Sequence, residues 1–374
     1  MKIVYYMPFK PLGHRNPSGD LIIGSELFAF LQEKGAEIEL VSRFRCRWIY
    51  FKPHLWPLFI IELVRVVLLC RRKKPDIWLT YHSYYKAPDV LGALCCRLVK
   101  IPYAVFQGIY STKRRRSARS MPGFYLNRMT LEKATVVFSN KKNDHTNLGR
   151  LLPAETLTYI PPGLHANDFR FDAAARRRVR HTFAAGERVV VMSAAMFRPG
   201  VKTRGIVEVM ESCAHLADNG ADLLLVIAGD GSQRPMLEEQ GAALLQDRVV
   251  FVGRQSRKAM QSYYSAADIF AFPGVEESLG MVYLEAQACR LPVVAYGDWG
   301  ASEAVVHGRT GLLANAVRPG QFRTYLQKLV DDRVLRQSMG SAAEDYVRRH
   351  HDITGNYTIV WDRLQKIAAG GMDG

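Results

Sequence analysis

Short apolar runs recur along the chain, each followed by a polar or glycine-bearing turn and then by apolar residues at helical spacing. Met1-Lys2-Ile3-Val4-Tyr5-Tyr6 predicts a first strand that ends at Met7-Pro8. A polar, Gly/Pro-rich loop covers 10–19, and Leu21, Ile22, Leu27, Phe28 and Leu31 then share one helical face before Gly35 stops the helix. The next strand is 38–41, so the chain opens as a βαβ unit. Further strands are predicted at 77–80, 101–107, 134–139, 188–193, 222–228, 248–252 and 269–272. Helices are predicted at 260–267, 321–330, 333–350 and 352–369. Strands alternating with helices predict parallel sheets and an α/β class.

The most informative pattern is 269–295. Ile269-Phe270-Ala271-Phe272 reads as a buried strand, Pro273-Gly274 breaks it, and two carboxylates follow at Glu276 and Glu277. Residues 281–289 have helical periodicity, Pro292 ends the helix, and Val293-Val294-Ala295 begins another strand. In open α/β sheets ligands sit outside the carboxyl ends of the strands. A helix beginning near Ser278 or Gly280 turns the free backbone N–H groups of Ser278, Leu279, Gly280 and Met281 toward that crevice, which favours a phosphate. Glu277 stands at its mouth and Glu285 lies about two turns along the helix. Two carboxylates with phosphates between them suit a nucleotide joined to a sugar. The alternative is a surface helix carrying two solvated acids.

Glu277, seven residues and Glu285, together with Gly280 and the tail LEAQACRLPVVA, resemble glycosyltransferase family 4, retaining enzymes of GT-B fold. The resemblance implies two Rossmann-like parallel-sheet domains facing a cleft. Residues 1–165 would bind the acceptor, 166–350 the nucleotide-sugar donor, and 351–374 would form a helix packing back on the first domain. It implies that Glu277 holds the donor sugar's hydroxyls and Glu285 the ribose.

Family members carry an Arg and a Lys on the donor diphosphate. Arg198 and Lys202 supply those charges at altered spacing, with Ala195-Met196-Phe197 in place of the usual Gly-Arg-Leu. They are otherwise two surface cations. The turns at Gly229 and at Gly253-Arg254 would line the base and ribose, and Tyr263-Tyr264-Ser265-Ala266-Ala267-Asp268 is a further match.

The first half matches more thinly. Gln107 stands where many members have a histidine reaching the reacting sugar; Gln hydrogen-bonds but does not titrate, so a general base there is in doubt. His82 is either an acceptor-side residue or the cap of the next helix. Gly19 follows Ser18 where the family loop often reads Gly-Gly, and serves either close approach of an amide or a plain turn. Ile160-Pro161-Pro162-Gly163-Leu164 resembles the interdomain linker, with Pro162 for the usual Asn and His165 for Asp.

Length and charge extend this picture. At 374 residues the chain favours two domains. Six cysteines without metal-like spacing read as reduced core residues of a cytosolic protein, and no signal peptide is recognised. The net charge of +16 is unusual and points to an anionic partner. Basic clusters lie at Arg43-Arg45-Arg47, 71–74, 113–116 with Arg119, and 176–178. Lys113, Arg114, Arg115 and Arg116 read as a mobile loop that grips an acceptor phosphate, or as a solvated charge run. Residues 43–59 mix Trp48, Tyr50, Phe51, Trp56 and Phe59 with cations, which favours contact with a membrane or acceptor. Residues 63–70 read as a core-facing helix.

The expectation is therefore a retaining, metal-independent glycosyltransferase without a cofactor. It would use a UDP- or GDP-type sugar on a hydroxyl acceptor of a lipid-linked or envelope glycan such as lipopolysaccharide. It would be cytoplasmic or peripheral on the inner face of the cytoplasmic membrane. The alternatives are a nucleotide-sugar epimerase or hydrolase of the same fold, or a non-catalytic protein binding an anionic ligand. The intact donor motif argues against nucleic acid as the partner.

Overall fold

The computed structural model describes residues 1–14, 19–277 and 279–370. The chain divides into two compact units, Met1–Pro161 with the chain from Thr354 onward, and Pro162–Ile353. The division falls inside the Pro-Pro segment read as a linker.

In the first unit the order is β1 (Lys2–Tyr6), α1 (Gly19–Glu33), β2 (Glu37–Ser42), α2 (Trp56–Lys73), β3 (Ile77–Tyr81), α3 (Val90–Val99) and β4 (Tyr103–Phe106). It continues with α4 (Met121–Leu131), β5 (Val136–Ser139), α5 (Lys142–Leu148) and β6 (Leu157–Tyr159). The strands form one six-stranded sheet in the order β2-β1-β3-β4-β5-β6, with every neighbouring pair parallel. β3, β4 and β5 are buried along their whole length, which is why they read as unbroken apolar runs rather than alternating ones. The strand order reverses between β1 and β3, so the loops after these two strands flank the crevice where such sheets bind ligands.

The second unit runs α6 (Ala173–Thr182), β7 (Val189–Ala194), α7 (Val201–Asp218), β8 (Leu223–Ala228), α8 (Arg234–Leu245), β9 (Val249–Gly253) and α9 (Arg257–Ala266). Then come β10 (Ile269–Ala271), α10 (Met281–Ala288), β11 (Val293–Tyr296), α11 (Ala301–Ala304), β12 (Gly311–Ala314), α12 (Gln321–Asp331) and α13 (Arg333–His350). Its six parallel strands are ordered β12-β11-β10-β7-β8-β9. Here the reversal lies between β7 and β10.

The last helix, α14 (Ile353–Ala368), is grouped with the first unit. Tyr357 packs edge-on to Phe30 of α1 at 5.5 Å and to Phe106 of β4 at 6.1 Å. Asn356 Nδ2 donates to the Pro161 carbonyl at 2.9 Å. All six cysteines are buried free thiols.

Two expectations change. Val66, Val67 and Cys70 of α2 are core residues, but Val64 and Leu68 on the same stretch are exposed, so 63–70 faces the core along one stripe only. The basic segment at 112–116, expected as a mobile loop, folds as a short 3₁₀ helix whose Arg114 carbonyl accepts from Ser120 Oγ at 2.6 Å.

Candidate functional site

The loops after β7 and β10 meet at the reversal point of the second sheet. Gly200, at φ 109, turns the first loop into α7, which places Lys202 in the helix's first turn. Lys202 Nζ lies 3.0 Å from Glu277 Oε2, and both side chains are mostly covered. Residues 75 apart in sequence thus form one ion pair at the carboxyl edge of the sheet. Arg198 lies in the same loop; its carbonyl accepts from Thr203 Oγ1 at 2.6 Å, and its exposed guanidinium has no partner among the described residues.

The loop carrying Glu277 is tightly built. Its N–H donates to Gly274 O and its carbonyl accepts from Gly300 N, both at 3.0 Å. Gly274 and Gly280 sit at φ 70 and φ 64, and a Cβ on either would meet Tyr283, at 1.9 Å from its hydroxyl and 2.3 Å from its ring respectively. Tyr283 donates its hydroxyl to Phe272 O at 3.1 Å. It acts as a pillar under the turn, and both glycines are required because only glycine takes these dihedrals at this distance. Gly280 N-caps α10 without a side-chain cap, so the first N–H groups, that of Met281 included, stay open in the helix's positive end. Leu279 is buried. Ser278 lies outside the described residues.

Glu285 is held from below. Tyr264 of α9 donates its hydroxyl to Glu285 Oε2 at 3.0 Å. Desolvation raises the Glu285 carboxyl above the usual carboxylate range, against the lowering pull of that hydroxyl and of Arg257. Tyr264 and Tyr283 are positioning residues given no role by sequence reasoning; the only signal was the Tyr263-Tyr264 match.

Gly229 and Gly253 are adjacent, and here the expectation is narrowed. The Gly229 N–H donates to Gly253 O at 2.9 Å, so it is not available to a ligand. At φ 148, a Cβ on Gly229 would strike Ala195 O at 1.9 Å, so the glycine serves the packing of the 195–197 loop. Arg254 is exposed beside the end of β9.

In the first unit His82 and Gln107 follow neighbouring strands. His82 N donates to Phe106 O and Gln107 N to Phe138 O, both at 2.8 Å. Both are buried, and both adopt left-handed backbone, φ 64 and φ 60, which is strained for residues with a Cβ and clusters at functional sites. Gln107 Oε1 is buried with no hydrogen-bond partner among the described residues. The His82 ring lies 4.6 Å from that of Tyr84. Asn127 ties the two loops together: its amide oxygen accepts from Ser83 Oγ at 2.9 Å and its Nδ2 donates to Ile109 O at 2.8 Å. Gly19 is the first residue of α1, after the β1 loop. Arg114 stacks on Tyr85 at 4.6 Å, while Arg115 and Arg116 point to solvent. His82, Gln107, Gly19 and the three arginines belong to the first unit; Lys202, Glu277 and Glu285 belong to the second.

Two Rossmann-like units, the second with a cation–carboxylate pair at its reversal point, define the GT-B class of fold. Anabaena HepE in complex with UDP shares it, with a TM-score of 0.75, 18% identity, and 98% of this chain and 100% of that chain covered. In the second unit, residues 176–346 match the family described as "Glycosyl transferases group 1". That segment contains Arg198, Lys202, Tyr264, Glu277 and Glu285. A GDP-mannose-dependent alpha-(1-6)-phosphatidylinositol monomannoside mannosyltransferase of Mycobacterium tuberculosis is 34% identical over 208 residues, 52% of each chain. Alpha-D-kanosaminyltransferase of Streptomyces kanamyceticus is 30% identical over 213 residues, 56% of this chain and 54% of its own. The chain thus spans about half the length of the curated relatives it matches.

Proposed function

We propose that the protein is a retaining glycosyltransferase that moves a sugar from a nucleotide-diphospho-sugar to a hydroxyl of a lipid-linked or envelope glycan. The observation that carries this reading is the Lys202–Glu277 pair at the β7/β10 reversal point, inside the segment that matches the family. A diphosphate placed at the open start of α10 meets Lys202 and the unpartnered Arg198. Two cations and a helix N-terminus neutralise it as it departs, so no metal bridge and no cofactor are required. Glu277 then orients the sugar's hydroxyls, and Glu285, fixed by Tyr264, takes the ribose. The acceptor oxygen bonds to the anomeric carbon on the face that the diphosphate leaves. Its proton passes to the departing phosphate oxygen, so configuration is retained. The first unit binds the acceptor, with His82 and the non-titrating Gln107 as hydrogen-bonding residues.

The names of the mycobacterial relatives make GDP-mannose the first donor to test, with UDP-sugars second. We place the protein in the cytoplasm, peripherally at the inner face of the membrane, where lipid-linked acceptors are made. The test is thermal stability against GDP, UDP and their sugars, on wild type and Glu285→Ala. A shift for one base that the variant loses supports the donor site; no shift with any of them overturns it. Proton NMR of the first-formed product reads the anomeric configuration, and an inverted product overturns the retaining assignment.

A further inference from the structure

The helix α2 leaves a large apolar face without a partner. Val66, Val67 and Cys70 anchor it in the core of the first unit. Opposite them Ile60, Ile61, Val64 and Leu68 are exposed, Ile61 by 65% and Leu68 by 58%. These positions share one helical face, which continues onto Arg71 and Arg72 at the C-terminal end. The helix is long and apolar enough to span a bilayer by length and composition. In this fold its buried stripe packs on the first unit, and 17% of the apolar window is buried.

Cations surround the face, and they come from distant parts of the sequence. At its N-terminal end, Trp56 Nε1 donates to Ile49 O at 3.1 Å, joining α2 to a cluster of Trp48, Tyr50, Phe51 and Tyr85. Arg119 sits 5.8 Å from the Trp48 ring centre and Arg114 4.6 Å from that of Tyr85. Lys86 lies over both rings. None of these three has a carboxylate partner among the described residues. Along its flank a groove of about 570 Å³ is lined by Phe44, Leu58 and Ile61 with Arg43 and with Arg65, which is paired with Glu62 at 2.7 Å.

We propose that this surface docks the protein on an anionic lipid leaflet. Ile60, Ile61, Val64 and Leu68 enter the acyl boundary. Trp48, Phe51 and Trp56 lie at headgroup level, and Arg71, Arg72, Arg114 and Arg119 meet lipid phosphates. An apolar face rimmed by aromatics and by cations lacking acidic partners matches that solvent on each count. The inference deepens the peripheral placement proposed above by naming the surface responsible, and it rests on that placement.

The test is flotation of the full chain with phosphatidylcholine vesicles, one third of whose lipid is phosphatidylglycerol, at moderate salt. Pure phosphatidylcholine vesicles serve as the comparison. Binding to the mixed vesicles, at least tenfold above the neutral ones, is expected. Ile61→Ser, Val64→Ser and Leu68→Ser combined should lower binding at least tenfold, with the melting temperature unchanged because all three are exposed. Arg71→Ala with Arg72→Ala should lower it about fivefold per arginine on the mixed vesicles only; this pair decides the matter if the serine variant fails to fold. Absence of wild-type binding, or a serine variant that binds like wild type, overturns the proposal. So does light scattering that shows a dimer which the serine variant dissolves, since the face would then belong to a second copy. The GDP and UDP thermal shifts, run on the same samples, read the donor site separately. A shift without vesicle binding overturns this surface alone, and vesicle binding without a shift supports it and overturns the donor reading alone.

Discussion

The two units treat their basic clusters differently, although the first also holds the Arg65–Glu62, Lys73–Glu39 and Arg128–Glu132 pairs. In the second, cations close on carboxylates within the unit. Lys202 pairs with Glu277. Arg176 and Arg180 converge on Asp268 at 2.6 and 3.0 Å, and Arg290 and Arg348 share Glu344. In the first unit the cations of the α2 end lie on aromatic rings instead, with their charge open to solvent. A basic cluster in a sequence therefore has two meanings. At 176–180 it is a structural clamp: Arg176 caps the carbonyls of Ser265, Ala266 and Ala267 at the end of α9. At 113–119 it is a surface field. The difference lies in the presence of a carboxylate, and Asp268 is too far along the chain for the local run to reveal it.

The sharpest way to break this contrast is Asp268→Ala. It takes the carboxylate from two guanidinium groups, each less than one third exposed, leaves them only carbonyl partners, and removes the acceptor of the Val190 N–H at the start of β7. Breaking a covered pair from one side should cost about 3 kcal/mol, the low end for such sites. Arg114→Ala in the first unit should stay within about 0.5 kcal/mol. Urea titration of the two variants measures both; equal costs would erase the distinction. Next is Lys202→Ala. Removing one preorganised donor from a developing negative charge should lower transfer about 10²-fold, read as kcat in a single-donor assay, with little change in unfolding free energy. A drop in stability with full transfer would make Lys202 a clamp like Arg176.

Legibility in the sequence followed the same divide. The segment from β10 to β11 could be read because its strand, turn, helix and carboxylates are contiguous, so one window holds the whole pattern. The strand–helix alternation likewise exposed both sheets, since parallel strands buried on two faces give unbroken apolar runs. The Lys202–Glu277 contact was legible only as two separate candidates, because pairing across a reversal point depends on strand order. Tyr264 under Glu285 and Tyr283 under Gly274 were missed as supports. An aromatic residue at helical spacing looks like core, and these are core residues whose hydroxyls act at the rim. On α2 periodicity gave the helix but not its outer face, since apolar residues fall on both sides and only three of them are fully buried, with Phe59, Leu63 and Leu69 packed partly against the core.

A smaller effect is expected at Gly280. With φ at 64 and Tyr283 Cδ2 2.3 Å from any added Cβ, Gly280→Ala should cost about 1–3 kcal/mol. It should also weaken nucleoside diphosphate protection, because the start of α10 moves with it. Gly35→Ala, at φ 85 but with nothing within 4 Å, should cost about 1 kcal/mol and leave nucleotide protection intact. The pair separates backbone strain from the collision with Tyr283.

The smallest predicted effect tests how closed the second unit's site is. Burial raises the Glu285 carboxyl above its ordinary value, so the folded state holds that proton more tightly than the unfolded chain, where the group titrates near about 4.3. Below that pH both states are protonated and the group contributes no penalty. As pH rises, the unfolded chain releases its proton first, so wild type should lose stability until the folded carboxyl has also ionised, and then level off. Glu285→Gln cannot titrate and should lack this descending step. Subtracting the two stability–pH curves isolates it from every other carboxylate. A difference that declines from acid toward neutral pH confirms a desolvated carboxylate. A flat difference means that Glu285 is solvated like the arginines of the first unit, and the contrast between closed and open charge would then stop at the Lys202–Glu277 pair.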